Sequence, residues 1–476
     1  MANSKLGLPQ ILITFQTNAT TAVTRSARGV VSMILNDENV TDEDGVTYRL
    51  IEDSSDIPSN INATNADLIS KTLLGSPSKI HAYFIPLESH EEVQEKVIEK
   101  TEERERVIER QVDSDVVVSR DVDSDVIVTD PDTGETSVST IQVTITDTQT
   151  IQVMITDTEI YEATFTDTMT ETVIIPAEVV QSDALKKVAN VKFNYVCHPT
   201  GNAVDQLNLA TWVASQRANK NKTYKAVVAN CNVDNYGVVN FTTGKIKVTN
   251  PAYTAALEIV DGDESAIEGI DKYNTYTAAK YTGRIAGILA GLPLDRSATY
   301  YALSEVVDVE EYDDIDEQIN AGELCLFEEK DGNGVKIARG VNSLHNFSTN
   351  TGEDFRFIKI VETIDLIKED IMNAFRNDYV GKVPNSYDNK MLFVSAINSY
   401  LMQLGGNVLD MSATDSNFVE IDYAKQYNYA KSRGADMDKM TRQDVLRYNT
   451  GTNVYLTGRI TPSNSMEDLT IEFALN

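Results

Sequence analysis

The 476-residue chain is short of the residue types that build catalytic centres, covalent staples and metal sites. Its three cysteines, Cys197, Cys231 and Cys325, are odd in number, far apart and never paired as CxxC. That excludes a legible disulfide framework or zinc knuckle and leaves buried free thiols as the expectation. The four histidines, His81, His90, His198 and His345, never fall at an HExxH or HxH spacing. No GxxxxGK[ST] run is present to cradle a triphosphate, and the glycines of GRIAGILAG miss the dinucleotide spacing, which argues against an ATP-driven motor. No apolar run approaches the roughly 18 residues of a membrane helix, and Ile285–Leu292 is far too short. MANSKLGLPQ lacks a basic segment followed by an apolar core, so no secretory signal is expected and the protein reads as made and kept in a cytoplasm until release.

Positive charge is also scarce. Lysine and arginine number 41 against 73 acidic residues, a net charge of −32, which repels phosphates and anionic lipid and argues against nucleic acid or membrane as partner. Residues 88–178 hold 24 Asp and Glu against 6 Lys and Arg, a balance of −18, so more than half of the excess sits in a fifth of the chain. What is present is an ordinary soluble composition, 41% hydrophobic with 21 Tyr and one Trp, long enough for about three domains of about 150 residues.

Along the chain, QILITFQ alternates Ile11, Ile13 and Phe15 against Leu12 and Thr14, a strand pattern at a terminus that frays unless a sheet captures it. Val30–Leu35, Val46–Ile51 and Ile80–Ile85 are short apolar runs of a small α/β region. HEEVQEKVIEKTEERERVIER then reads as a charged, helix-like run. After it come repeats of ten: RQVDSDVVVS, RDVDSDVIVT, TIQVTITDTQ, TIQVMITDTE and IYEATFTDTM. Period ten with internal alternation predicts successive strands and turns, a hairpin stack or a small β-sandwich. DSD and TDT read as turns or solvated faces; the alternative, calcium-binding turns, lacks an EF-hand loop. Further on, VKFNYVC, the helix 204–218 and KAVVAN form a βαβ unit with a right-handed crossover, and NYGVVNFTTGKIKV reads as a hairpin-like pair. NTYTAAKYTGRIAGILAGLP is a helix whose Gly283, Gly287 and Gly291 let a neighbour pack close.

In residues 340–404, FRFIKIV is dense enough for a buried strand, and Ile364, Ile367, Ile371 and Phe375 make the apolar face of a helix ending near Val380. Its other side carries Asp365, Glu369 and Asp370. Gly381 and Pro384 stop it. Phe393, Ala396, Ile397, Tyr400, Leu401 and Leu404 form a second helical face closed by Gly405-Gly406. Both stripes must be buried, most simply on the sheet holding FRFIKIV. At the end of the chain Leu469, Ile471 and Phe473 alternate against Thr470, Glu472 and Ala474, a second one-faced terminal strand.

Catalytic candidates are weak. Cys197 and His198 could be imagined as nucleophile and base, but adjacent residues at a strand end point apart. The run Glu310, Glu311, Asp313, Asp314, Asp316 and Glu317 could bind a metal, though a solvated helix face or loop fits it better. Cofactors and catalytic or metal residues are therefore expected to be none.

The 340–404 block, with RGVNSL and YVGKVPNSYDNK, resembles the C-terminal domain of contractile-tail sheath proteins of bacteriophage tails, R-type bacteriocins and related injection machines. GLPQILITFQ, RSARGVV, GRIAGILAGLPLDRSATYYALSEVVDV and GTNVYLTGRITPSNSMEDLTIEF resemble the same family. The expected fold is an α+β or α/β multidomain chain. It has a C-terminal α/β domain with two amphipathic helices on a sheet, a middle βαβ domain, an inserted acidic all-β domain and extended terminal strands. The expected divisions are an arm over 1–28, an α/β domain over 29–87 and 181–270, the insert over 88–180, a C-terminal domain over 271–466 and an arm over 467–476. The resemblance implies a structural subunit, not an enzyme, that polymerises as stacked hexameric rings around an inner tube protein and contracts. Its further partners would be baseplate and tail-terminator proteins, its place a virion tail or bacteriocin particle, its assembly in the host bacterial cytoplasm. Ile11, Leu12, Ile13, Phe15, Leu469, Ile471 and Phe473 would be the linking arms, with Ser26–Gly29 near the hinge. Ile364, Ile367, Ile371, Phe375, Phe393, Ile397 and Leu401 would be the C-terminal core. The alternative is a surface-array or adhesin-like protein whose acidic β region binds a receptor.

Overall fold

VVSMILN, Val30–Asn36, is buried at every position, the composition of a strand covered on both faces. It is an interior strand of a seven-stranded sheet ordered Glu323–Leu324, Val238–Phe241, Lys225–Ala229, Tyr195–Cys197, Val30–Asn36, Lys79–Ile85, Thr47–Ile51. Every neighbouring pair is parallel except the last, where Thr47–Ile51 runs antiparallel along one edge. The computed structural model describes the backbone of residues 28–474 apart from 41–44, 87–89, 105–113, 119–120, 130–135, 145–146, 152–160, 176, 232, 261–262, 265–266, 268, 330–333, 350 and 413–416, and describes side chains outside 87–180.

Alternation along the strands sorts side chains into two cores. Val31, Met33, Leu35, Tyr195, Cys197 and Val227 point to one side, where they meet Leu68 and Ile69 of the helix Ala63–Leu73 and Ile285 and Ile288 of the helix Ala278–Gly291. Val30, Ile34, Val196, Ala226 and Val228 point to the other, against Ala184, Leu185 and Val188 of the helix Ala177–Val188 and Leu209 and Val213 of the helix Ala203–Lys220. The glycine row has the use its spacing suggested: a Cβ on Gly287 would lie 2.2 Å from the carbonyl oxygen of Thr72, and one on Gly291 2.0 Å from that of Gly75. Only glycine lets these two helices approach so closely. Residues from 271 onward, read in sequence with the C-terminal domain, thus supply this sheet with a covering helix and the strand Glu323–Leu324.

Several expectations are overturned. NYGVVNFTTGKIKV is no hairpin: Val238–Phe241 joins the large sheet, while Ile246–Thr249 pairs antiparallel with Tyr273–Tyr276 and Val306–Asp308 in a separate one. FRFIKIV is no strand. Glu353–Arg356 is a 3-10 turn, and an α-helix runs Ile358–Ala374. Its first six residues, Ile358 to Thr363, are all buried, and a helix enclosed on every side loses the periodicity that distinguishes it from a strand. A five-residue π-turn, Phe375–Tyr379, follows, Gly381 takes φ +73°, and a second helix runs Tyr387–Gln403. The two helices pack together and onto a two-stranded sheet, Phe418–Ile421 with Leu456–Arg459, which is far from FRFIKIV in sequence.

The chain divides into two compact units, Leu87–Val179 and the remainder. In the former, His90–Arg104 is a strand rather than a helix; its antiparallel partner Tyr161–Ile175, YEATFTDTMTETVII, is rich in β-branched residues, and pairing overrides the helix propensity of Glu and Lys. Ser114–Val118 pairs with Asp147–Ile151, and Asp121–Thr129 with Thr136–Thr144. Among the described residues each later-starting strand finds an earlier-ending partner, so the repeats pair as nested antiparallel ladders.

Candidate functional site at the roots of the two chain ends

The described chain begins at Arg28, where RSARGVV turns into the strand Val30–Asn36. Gly29 has φ +90°, and a Cβ there would stand 3.0 Å from the Ser78 nitrogen, so the turn requires glycine. Ser78 donates its N–H to the Gly29 carbonyl at 2.7 Å and its hydroxyl to the Arg28 carbonyl at 3.0 Å. The Arg28 guanidinium forms an ion pair with Glu362, on the buried first turns of the helix Ile358–Ala374. Glu362 also accepts from the Tyr195 hydroxyl at 2.6 Å and lies 3.1 Å from Lys225 Nζ. Burial pushes its carboxyl up, but the charges of Lys225 and Arg28, with the hydrogen bonds from Tyr195 and Arg28, outweigh burial and hold it at about 2. One turn on, Asp365 receives both terminal nitrogens of Arg217 at 2.7 and 2.8 Å, and Arg217 lies over the Tyr236 ring, 4.6 Å from its centroid. The Asp365 and Arg217 side chains are 5% and 6% exposed. Each carboxylate is matched to a cation, so the chemistry here is fastening, not reaction.

The other end returns to the same helix. Lys359, three residues before Glu362, reaches the Asp295 carbonyl at 3.3 Å and the Ser465 hydroxyl at 3.2 Å. Burial pushes its ammonium down, against the pull of Asp295 and Glu467. Glu467 Oε1 accepts from the Ser297 and Thr299 hydroxyls at 2.9 and 2.8 Å, and its Oε2 from Arg339 Nε at 3.1 Å. Arg339 also binds Asp468. Beyond Asp468 the fastening ends: Leu469, Ile471 and Phe473 are 84%, 57% and 84% exposed. Among the described residues the strand expected here does not form. A groove of about 530 Å³ opens beside this root, lined by Asp295, Ser297, Tyr300, Arg339 and Glu467.

Of the other sequence-read positions, Ile11, Leu12, Ile13 and Phe15, with Ser26 and Ala27, lie outside the described residues. Ile367, Phe393, Ile397 and Leu401 sit in one buried cluster with Tyr400, Leu404 and Leu409, while Ile371 and Phe375 pack against it partly buried and Ile364 is half-buried. Asp365 and Asp370 do not face water: both are buried, Asp370 accepting from the Tyr400 hydroxyl at 2.6 Å. The Cys197–His198 dyad is not assembled. His198 is fully buried with its ring nitrogens 2.9 Å from Gln181 and 2.8 Å from Asn36, and burial pushes its pKa down to about 3. In the acidic run Asp314 caps the helix Ile315–Asn320 and Glu310 pairs with Lys245. Sequence reading missed Arg28, Arg217, Lys359, Glu362, Arg339 and Glu467. Charges inside the apolar run FIKIVETID were the available signal, since a charge among buried residues requires a partner.

A family model described as the phage tail sheath protein central domain matches residues 178–343, and one described as the phage tail sheath C-terminal domain matches 350–409. The tail sheath protein of Clostridium phage phiCD119 is 35% identical over 316 residues, 64% of this chain and 80% of that protein. The chain belongs to the phage tail sheath family. It is a structural subunit of a contractile tail sheath, with the mixed α/β multidomain fold of such proteins. Solved sheaths share that fold at low identity. The sheath tail protein Lin1278 from Listeria innocua aligns with a TM-score of 0.52 and 15% identity over 84% of this chain and 90% of that one. The helical sheath of the anti-feeding prophage in the contracted state aligns at 0.56 and 12% over 99% and 100%. In this sheath subunit, the helix Ile358–Ala374 anchors residues at both ends of the described chain.

Proposed function

We propose that copies of this subunit stack as hexameric rings around an inner tube, joined by their chain ends, and that contraction drives the tube through a cell envelope. The observation that carries this reading is the abrupt change at Asp468, from a carboxylate-fastened root to an exposed, alternately apolar segment. A strand donated to a neighbour's sheet edge satisfies main-chain groups on both chains and gives a continuous but flexible link. Among the described residues the Phe418–Ile421/Leu456–Arg459 sheet has two strands, so its edges can accept such strands. Residues 1–28 and 467–476 would be the arms, 29–87 with 181–270 and 271–466 the body. Contraction then needs no fuel: two packings of the same subunits differing in free energy suffice. Baseplate and terminator proteins would cap the polymer in a virion tail or bacteriocin particle assembled in the host cytoplasm.

Residues 88–180 are read as an inserted acidic β-rich domain held at the outer radius. The −18 balance makes close self-packing costly within a Debye length of about 8 Å, and copies are farthest apart at the outside. Joining Leu87 to Gln181 through a Gly-Ser linker should leave assembly intact. A folded deletion protein that forms no sheath would assign the insert to the contractile body instead. For the arms, removing residues 1–18 or 469–476 should give a folded monomer where the full chain polymerises; equal sedimentation of full and truncated chains at high concentration would count against them.

A further inference from the structure

Glu467 stands out in the C-terminal segment. Met466 before it is fully exposed and the apolar residues after Asp468 are mostly exposed, yet the Glu467 side chain is 7% exposed and has three donors on its two oxygens. Those donors belong to separate parts of the body: Ser297 and Thr299 lie on the turn after the glycine-row helix, and Arg339 follows the strand Val335–Ile337. They are themselves tied together. The Ser297 and Thr299 hydroxyl oxygens lie 3.0 Å apart, the Gly340 N–H donates to Thr299 Oγ1 at 2.9 Å, and the Ile358 N–H that opens the long helix donates to the Gly340 carbonyl at 3.0 Å. Lys359 then holds Ser465, two residues upstream of Glu467. A carboxylate in such a fork cannot rotate without losing several charge-assisted bonds, so the backbone leaving it has a set direction.

We infer that Glu467 is the positioning residue of the C-terminal arm: held by Ser297, Thr299 and Arg339, it sets where and in which direction Leu469–Phe473 leaves the subunit. This rests on the arm reading above. Preorganising a segment lowers the ordering cost of docking it, so the clasp acts on polymerisation while contributing little to the body's fold. The bond from Lys359 to Ser465, one helical turn from the Glu362 that holds Arg28, ties both described chain ends to one helix. A subunit that turns during contraction therefore carries both roots with it.

The test compares full-length protein with Glu467→Ala, Glu467→Gln, the double variant Ser297→Ala/Thr299→Ala, and the truncation lacking 469–476. Thermal melting is read under conditions that keep each protein monomeric, and the concentration needed for half-assembly is read by sedimentation. Glu467→Ala should melt close to wild type and the double variant, which also takes the acceptor from the Gly340 N–H, somewhat lower, but both should need roughly tenfold or more protein to assemble. Glu467→Gln keeps an acceptor for the hydroxyls and should fall between. Hydrogen exchange over 463–470 in the monomer should rise in Glu467→Ala, which a merely stabilising role elsewhere would not produce. Wild-type assembly of Glu467→Ala and of the double variant, beside a truncation that fails to assemble, would overturn the clasp and leave the arm reading standing. Unchanged assembly of the truncation itself would overturn the arm reading and the clasp with it.

Discussion

Asp365→Asn is the sharpest perturbation of the body, because sequence periodicity puts Asp365 beside Glu369 on a solvated face and the structure separates them. Asp365 is 5% exposed, takes both terminal nitrogens of Arg217, and lies 3.4 Å from Lys225 Nζ. Asparagine keeps the shape and removes the charge, leaving Arg217 buried with no carboxylate. Breaking a buried pair from one side costs about 3–5 kcal/mol. The lower end is expected because Glu362 still neutralises Lys225 at 3.1 Å. Glu369 pairs instead with Lys192, whose side chain is 41% exposed against 23% for Glu369, and Glu369→Gln should cost less than about 1 kcal/mol. Guanidinium unfolding of the full chain, at concentrations that keep it monomeric, measures both at neutral pH. The double variant Arg217→Met/Asp365→Leu should recover most of the loss, since removing both charges removes the unpaired one. Asp365→Asn and Glu369→Gln within about 1 kcal/mol of each other would refute the reasoning.

Glu362 is held at about 2, against an ordinary value near 4.3, so its contribution is complete above about pH 5 and is lost as pH falls towards 2. The acid limb of a stability–pH profile should therefore flatten over that window in Glu362→Gln, and an unchanged limb would contradict the assignment. Gly287→Ala drives a Cβ onto the Thr72 backbone and should destabilise by about 3 kcal/mol or more, whereas Gly283→Ala meets the flexible Met33 terminus and the Thr72 hydroxyl and should cost less; denaturant midpoints rank them. Ile367→Asp buries a charge with no partner in the C-terminal cluster and should cost several kcal/mol, read as a lowered melting temperature.

The βαβ unit around the helix Ala203–Lys220 and the glycine-row helix were legible because their strands are continuous apolar runs and their helices carry periodic stripes, whereas the helices Ala63–Leu73 and Ala177–Val188 and the place of Val238–Phe241 in the parallel sheet were not read. The helix start at Ile358 was not, since burial on all sides erases period 3.6 and leaves a run that reads equally as strand. His90–Arg104 failed for the opposite reason: a sequence with helix-forming Glu and Lys is held extended by a partner strand, His90 facing Ile175 and Arg104 facing Tyr161. Asp365 and Asp370 were misread because a stripe pattern assigns the non-apolar side of a helix to water, and only the tertiary fold brings Arg217 and Tyr400 to them. The root of the C-terminal segment was hidden for a related reason. Glu467 has nothing local to distinguish it, and its partners lie at 297, 299 and 339. The alternation of Leu469, Ile471 and Phe473 was legible, and all three are exposed in the single chain.

Electron microscopy of the purified full-length chain beside the truncation lacking 469–476 tests the account most directly. The account predicts sheath-like tubes of regular diameter from the full chain and folded, dispersed monomers from the truncation. Monomers from both, or tubes from both, would contradict the claim that this subunit is joined to its neighbours through the segment that leaves the body at Asp468.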